Sequence, residues 1–126
     1  MEFNPVTWFE IYVDDINRAA HFYQQVFNSR LEPLGDPSDQ SMIMMGFPSE
    51  MTKYGASGAL VQMEGVPAGG NSTMVYFGCE DCAQEQSRIE GAGGKVFKPK
   101  FSIGEYGFIA LVIDTEGNMI GLHSQN

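Results

Sequence analysis

Positive charge is scarce in this chain: seven Lys and Arg stand against 16 Asp and Glu, a formal net charge of −9. Neutralising phosphates takes clustered cations, so the balance argues against nucleic acid and equally against anionic membrane surfaces as partners. Cysteine is almost absent too. Cys79 and Cys82 form a single Cys-Glu-Asp-Cys, with no second pair and with His21 and His123 far apart in sequence. A disulfide framework is therefore excluded, and the pair reads as a small buried hydrophobe ending a strand and a residue beginning a helix. No run of some 18 apolar residues exists to span a membrane. Met1-Glu2-Phe3-Asn4-Pro5 lacks the basic and then apolar pattern of a secretory signal, so the cytoplasm is the expected location. At 126 residues the chain suits one domain with its own core.

The most regular stretch is the last one, Tyr106 to Ser124. Residues 107–113 are apolar on both alternating faces, which predicts a strand covered on both sides. Asp114-Thr115-Glu116-Gly117-Asn118 has turn chemistry, with Gly117 free to take a positive φ. Met119 to His123 returns as the partner strand. Ile120 and Leu122 share its core face, while Met119, Gly121 and His123 share a face that suits a cavity.

Earlier in the chain, Val6 to Val13 has strand composition. Phe9, Ile11 and Val13 lie on one face and Trp8, Glu10 and Tyr12 on the other. Asp14-Asp15 then caps a helix whose stripe is Ile16, Ala19, Ala20, Tyr23, Val26 and Phe27, with Asn28 as its stop and His21 off the stripe. Strands are predicted at Arg30 to Leu34, at the methionine-rich Ser41 to Phe47 and at Gly58 to Met63, with a mobile loop at 48–57. Gly65 to Ser72 has linker composition. The order then repeats: a strand from Thr73 to Cys79, a Glu80-Asp81 cap, a helix from Ala83 to Ala92, a strand from Lys95 to Phe101, and the closing hairpin. Val13-Asp14-Asp15 matches Cys79-Glu80-Asp81 at an offset of 66 residues, which also superimposes the apolar helix faces. The chain is a duplicated β-α-β-β-β unit, an α+β fold of module one (1–66) and module two (72–126).

Trp8 to Asp15, His21-Phe22-Tyr23, Val26-Phe27, Gly93-Gly94-Lys95-Val96 and Ala110 to His123 together resemble the vicinal oxygen chelate superfamily, which includes glyoxalase I, extradiol dioxygenases and bleomycin resistance proteins. The resemblance implies that the curled sheets of the two modules join as a curled mixed sheet around a small-molecule pocket, and it implies a homodimer. It also implies where metal ligands would stand in the metal-dependent members. Those positions fall on Trp8, Met74 and Gly121, with the fourth from Gly58-Ala59-Leu60-Val61. None of these side chains supplies the oxygen or imidazole donor that a hard or borderline divalent ion needs, so no metal cofactor is expected.

The cavity-facing register then consists of Trp8, Glu10, Tyr12, Met74, Tyr76, Met119, Gly121 and His123. Apolar walls with a few polar anchors suit a small aromatic or apolar ligand. Three readings follow. The first is metal-free binding of such a ligand. The second is a lyase, isomerase or dioxygenase using Glu10 and His123 as an acid/base pair, or as displaced metal ligands with Gln62 or Glu64. The third is an interaction subunit whose pocket is filled by its own Trp8 and Met74. Lys98 and Lys100 read as solvated charges guarding an edge strand.

Overall fold

The computed structural model describes residues 4–70 and 72–126. Met1-Glu2-Phe3, part of the stretch read as lacking a secretory pattern, and Asn71 of the linker lie outside the described residues. Module one runs β1 (Trp8–Tyr12), α1 (Ile16–Phe27), β2 (Glu32–Leu34), β3 (Met42–Gly46) and β4 (Ser57–Met63). Module two runs β5 (Tyr76–Gly78), α2 (Cys82–Ile89), β6 (Lys95–Ser102), β7 (Phe108–Ile113) and β8 (Met119–Ser124), with a 3₁₀ turn at Gly104–Tyr106 before β7. The duplication is real. The sheets are ordered β1-β4-β3-β2 and β5-β8-β7-β6, and in each the first strand lies parallel to the last.

The register makes the repeat quantitative. Glu10 pairs with Ala59 in module one, and Tyr76 pairs with Gly121 in module two. First strands and helices are thus related by 66 residues and closing strands by 62. The same rule governs the helix starts. The Ile16 amide donates to Gln62 Oε1 at 2.8 Å, and the Cys82 amide donates to Ser124 Oγ at 3.0 Å. Each module therefore satisfies an orphan helix amide with a side chain from its own last strand. Asp15 and Asp81 cap the same two helices through their carboxylates, as the acidic pairs predicted. Asn28 ends α1 in the left-handed conformation at φ 50°, where a short amide side chain is tolerated.

The two sheets are separate hydrogen-bonded units rather than one continuous sheet, and a shared core joins them. Ile11, Val13, Phe22, Tyr23, Val26, Leu60, Ile89, Ala110, Val112, Ile120 and Leu122 are buried in it. Phe77 of β5 stacks on Phe27 at 4.6 Å between centroids and meets Phe9 edge-on at 5.9 Å. β7 is covered on one face only. Ala110 and Val112 are buried, but Ile109, Leu111 and Ile113 remain half-buried, contrary to the expectation of a strand covered on both sides. The strand expected from Thr73 to Cys79 shortens to β5, with the Gly121 amide donating to Val75 O just before it. Lys100 is not a solvated charge: its Nζ lies 2.8 Å from Asp81 Oδ1 and over the Phe108 ring. Cys82 is buried in α2, and burial pushes the Cys79 thiol up to about 12, helped by Glu85 nearby. A thiol so far from ionised is a poor nucleophile, which fits a structural role for the pair.

A second lock joins the modules through the β7–β8 turn. Glu116 Oε1 accepts the amides of Asp14 and Asp15, and its carboxylate takes both Nε and Nη2 of Arg18 at 2.6 and 2.9 Å. Beside it, the buried Tyr23 hydroxyl donates to Asp114 Oδ2 at 2.7 Å, and Asn118 Nδ2 donates to Tyr12 O. Burial alone would raise the Glu116 carboxyl; the Arg18 guanidinium and the backbone amides outweigh it and bring the group down to about 2. A carboxylate held that low adds stability above its unfolded pKa of 4.5 and loses it as pH falls toward about 2. Glu116→Gln is expected to cost roughly 2–3 kcal/mol at pH 7 in urea unfolding and to flatten the acid limb between those two pH values.

Candidate functional site between the modules

A cavity of about 430 Å³ lies along the free edge of β1, where it faces residues 73–75 and the start of β8. Its walls include Phe9, Ile11, Val75, Met119 and Ile120, and the linker residues Val66, Pro67 and Gly69 roof it. Its polar lining includes Glu10, Tyr12, Thr73 and Asn118. The linker is fixed rather than loose: Ala68 N donates to Asp14 Oδ1 and Gly69 N to Asn118 Oδ1. The same turn that locks the modules therefore also holds the roof.

Glu10 is the organising polar group. Trp8 Nε1 donates to its Oε2 at 3.3 Å and the Tyr12 hydroxyl to its Oε1 at 2.9 Å. Alternation along β1 puts all three side chains on one face, so a single strand builds the set. The hydrogen bond to Glu10, then burial and the nearby negative charge, raise the Tyr12 phenol above its ordinary value, so it stays a donor at neutral pH.

Of the residues singled out in the sequence, Glu10, Tyr12 and Met119 line this cavity, and Trp8 adjoins it through Glu10. Met74, half-buried and outside any strand, is not among its lining residues. Tyr76 is 49% exposed and its ring lies over Gly121, where an added Cβ would clash with Tyr76 Cδ1 and Cε1. His123 and Glu10 share no hydrogen bond or ion pair. Nε2 of His123 lies 2.7 Å from Tyr106 O, and because a carbonyl only accepts, that nitrogen carries the proton. Gln62, the suggested displaced metal ligand, is occupied in capping α1. Missed by the sequence reading were Val66, Pro67, Gly69, Thr73, Val75 and Asn118 as lining residues. Asn118 carried a turn signal but nothing to say that its amide would span modules.

The positions where the family would place metal ligands can now be set on the structure. The register pairs Trp8 with Ser57 and places Ala59 in module one where Gly121 stands in module two. Trp8, Ala59, Met74 and Gly121 offer no oxygen or imidazole donor, and the Tyr76 ring occupies the space over Gly121. These residues do not fit a divalent ion. Among the described residues, no group of three or more His, Cys, Asp or Glu side chains is placed to hold a metal ion.

The fold and this cavity place the chain within a known group. Residues 5–122 match the family model of the Glyoxalase/Bleomycin resistance protein/Dioxygenase superfamily, and the chain belongs to that superfamily. Among solved structures it is similar to a hypothetical protein from S. aureus at 19% identity and a TM-score of 0.68, over 94% of this chain and 96% of that one. It is also similar to a glyoxalase/bleomycin resistance protein/dioxygenase family enzyme from Burkholderia phytofirmans at 15% identity and a TM-score of 0.69, over 95% and 98%. A glyoxalase I mutant from Zea mays aligns at 20% identity and a TM-score of 0.75 over 96% of this chain, which spans 46% of that protein. At these identities the likeness establishes the fold. No curated protein matches the chain.

Gly121 tests the packing of the module-two face. Gly121→Ala is expected to displace the Tyr76 ring and to destabilise by about 1–3 kcal/mol. Combining it with Tyr76→Ala should recover most of that loss in a double-mutant cycle read by urea unfolding. Simple additivity of the two changes would show that the ring does not rest on Gly121.

Proposed function

We propose that the protein is a small-molecule binding member of the superfamily that works without the family's metal ion and takes an organic ligand with an aromatic or apolar body in the cavity between its modules. One observation carries the reading: every position expected to ligate a metal bears Trp, Ala, Met or Gly, while β1 puts Glu10 and Tyr12 in the lining of a mainly apolar cavity, with Trp8 bonded to Glu10 beside it. Trp8 is 44% exposed and so is available as a stacking surface rather than packed into a filled pocket. That favours binding over the interaction-subunit reading. An acid/base role for Glu10 with His123 lacks support, since the hydrogen bonds of the two groups run to other partners.

The proposal includes a cytoplasmic homodimer. Two reduced cysteines suit a reducing compartment. Leu34, Met42 and Tyr76 are exposed on the two sheets, and Ile109, Leu111 and Ile113 of β7 are half-buried; a second copy would cover apolar surface of this kind. Among the described residues, no helix is long and apolar enough to cross a membrane.

Trp8 is the chain's one tryptophan, so its emission reports on the site directly. Titration with a panel of small aromatic compounds is expected to quench it at micromolar concentrations and to raise the melting temperature in proportion to ligand excess. Trp8→Ala should weaken the best ligand by about tenfold in calorimetry, in line with the loss of one aromatic contact. A panel that produces neither quenching nor stabilisation would count against the reading.

A further inference from the structure

The environment of Glu10 narrows the ligand class, and the following rests on the binding reading just given. All seven Lys and Arg residues are accounted for away from this carboxylate. Arg18 is held by Glu116, Arg30 by Glu32 and Lys100 by Asp81, while Arg88 donates to Val26 O. Lys98 lies over the Phe101 ring, and Lys53 and Lys95 are exposed elsewhere, in the 48–57 loop and at the start of β6. The cavity lining contains no Lys, Arg or His. Among the described residues Glu10 thus has no cation partner, and its neighbours on the strand are neutral donors.

Those two donors also fix its geometry. A carboxylate offers about four lone-pair sites, and Trp8 Nε1 and the Tyr12 hydroxyl engage one on each oxygen. The group is held from both sides, no further donor among the described residues bonds to it, and as an exposed side chain it keeps its remaining acceptor sites open to solvent. An oriented acceptor of formal charge −1 beside apolar walls matches a donor that is itself positively charged. The net charge of −9 adds a field that draws cations toward the surface.

We infer that the cavity selects organic cations that carry N–H donors, meaning a primary ammonium, amidinium or guanidinium on an aromatic or apolar body, with Glu10 as the counter-charge and Trp8 and Tyr12 as the groups that orient it. The specificity is electrostatic and directional. A neutral ligand of the same shape would bury its body equally well but leave Glu10 without its charge-assisted hydrogen bonds. An anion would meet an uncompensated carboxylate.

Three nearly isosteric probes separate these terms: benzamidine, benzamide and benzoate, titrated calorimetrically into the full chain at pH 7. Benzamidine is expected to bind at least about tenfold more tightly than benzamide, and benzoate more weakly than either. Raising the salt concentration should weaken benzamidine and leave benzamide unchanged. Glu10→Gln should reduce benzamidine to the affinity of benzamide. Glu90→Gln removes the same unit of charge from the exposed end of α2, and should leave benzamidine affinity within about twofold, since a distant surface charge is screened. Equal binding of benzamidine and benzamide, or an unaltered benzamidine affinity in Glu10→Gln, would overturn the cation selectivity and leave the binding reading standing. Failure of all three probes to bind at millimolar concentration would overturn both.

Discussion

The Glu116 carboxylate, in the closing turn of module two, accepts two backbone amides and a bidentate guanidinium from module one. Its position decides more than stability. The amides it satisfies belong to Asp14 and Asp15, the residues that end β1 and start α1. The strand carrying Trp8, Glu10 and Tyr12 is therefore aligned by contacts made across the module boundary. Asp114 and Asn118 of the same turn reach Tyr23 and the Tyr12 carbonyl, and Asn118 also fixes the Gly69 amide of the linker. One five-residue turn thus sets the edge, the roof and part of the polar lining of the cavity. Buried carboxylates are tolerated here because each has donors in place.

The duplication explains why the two modules look alike and serve differently. Equivalent register positions carry Glu10 and Tyr76 on the first strands, and Ala59 and Gly121 on the last. In module one the small residue lies opposite a carboxylate held by its neighbours. In module two the missing side chain is replaced by the aromatic ring of the adjacent strand, which lies on the glycine. Both solutions leave no ionisable side chain at this one position of the closing strand, Ala59 in β4 and Gly121 in β8. The cavity lining is left mainly apolar, with Glu10 as its single charged side chain.

Local periodicity made the fold legible in the sequence. The helix stripe from Ile16 to Phe27, the acidic caps and the repeated order of elements each follow from short-range rules. The face of β1 was legible for the same reason, because alternation alone puts Trp8, Glu10 and Tyr12 together. What could not be read was long-range. Glu10 and His123 sit on strands that both border the site, yet only the packing shows that each is bonded elsewhere. Glu116 looked like a turn residue because nothing local marks a carboxylate that will meet Arg18 some 98 residues away in sequence. The outer side of β7 differs for a related reason: an apolar pattern marks a face suited to burial, but Ile109, Leu111 and Ile113 are only half-buried within the chain. Lys100 looked solvated because its partner, Asp81, is 19 residues earlier.

Native mass spectrometry of the purified, untagged protein, before and after dialysis against a chelator, is the decisive measurement for a metal-free binding site. The expected spectrum is a chain mass free of stoichiometric divalent metal, unchanged by the chelator and by added Zn²⁺, Ni²⁺, Mn²⁺ or Fe²⁺, together with retention of an added organic ligand. One metal ion per site, removed by chelator and restored on addition with a matching gain in stability, would contradict it, and would show that the chain holds a metal with residues other than those at the family positions.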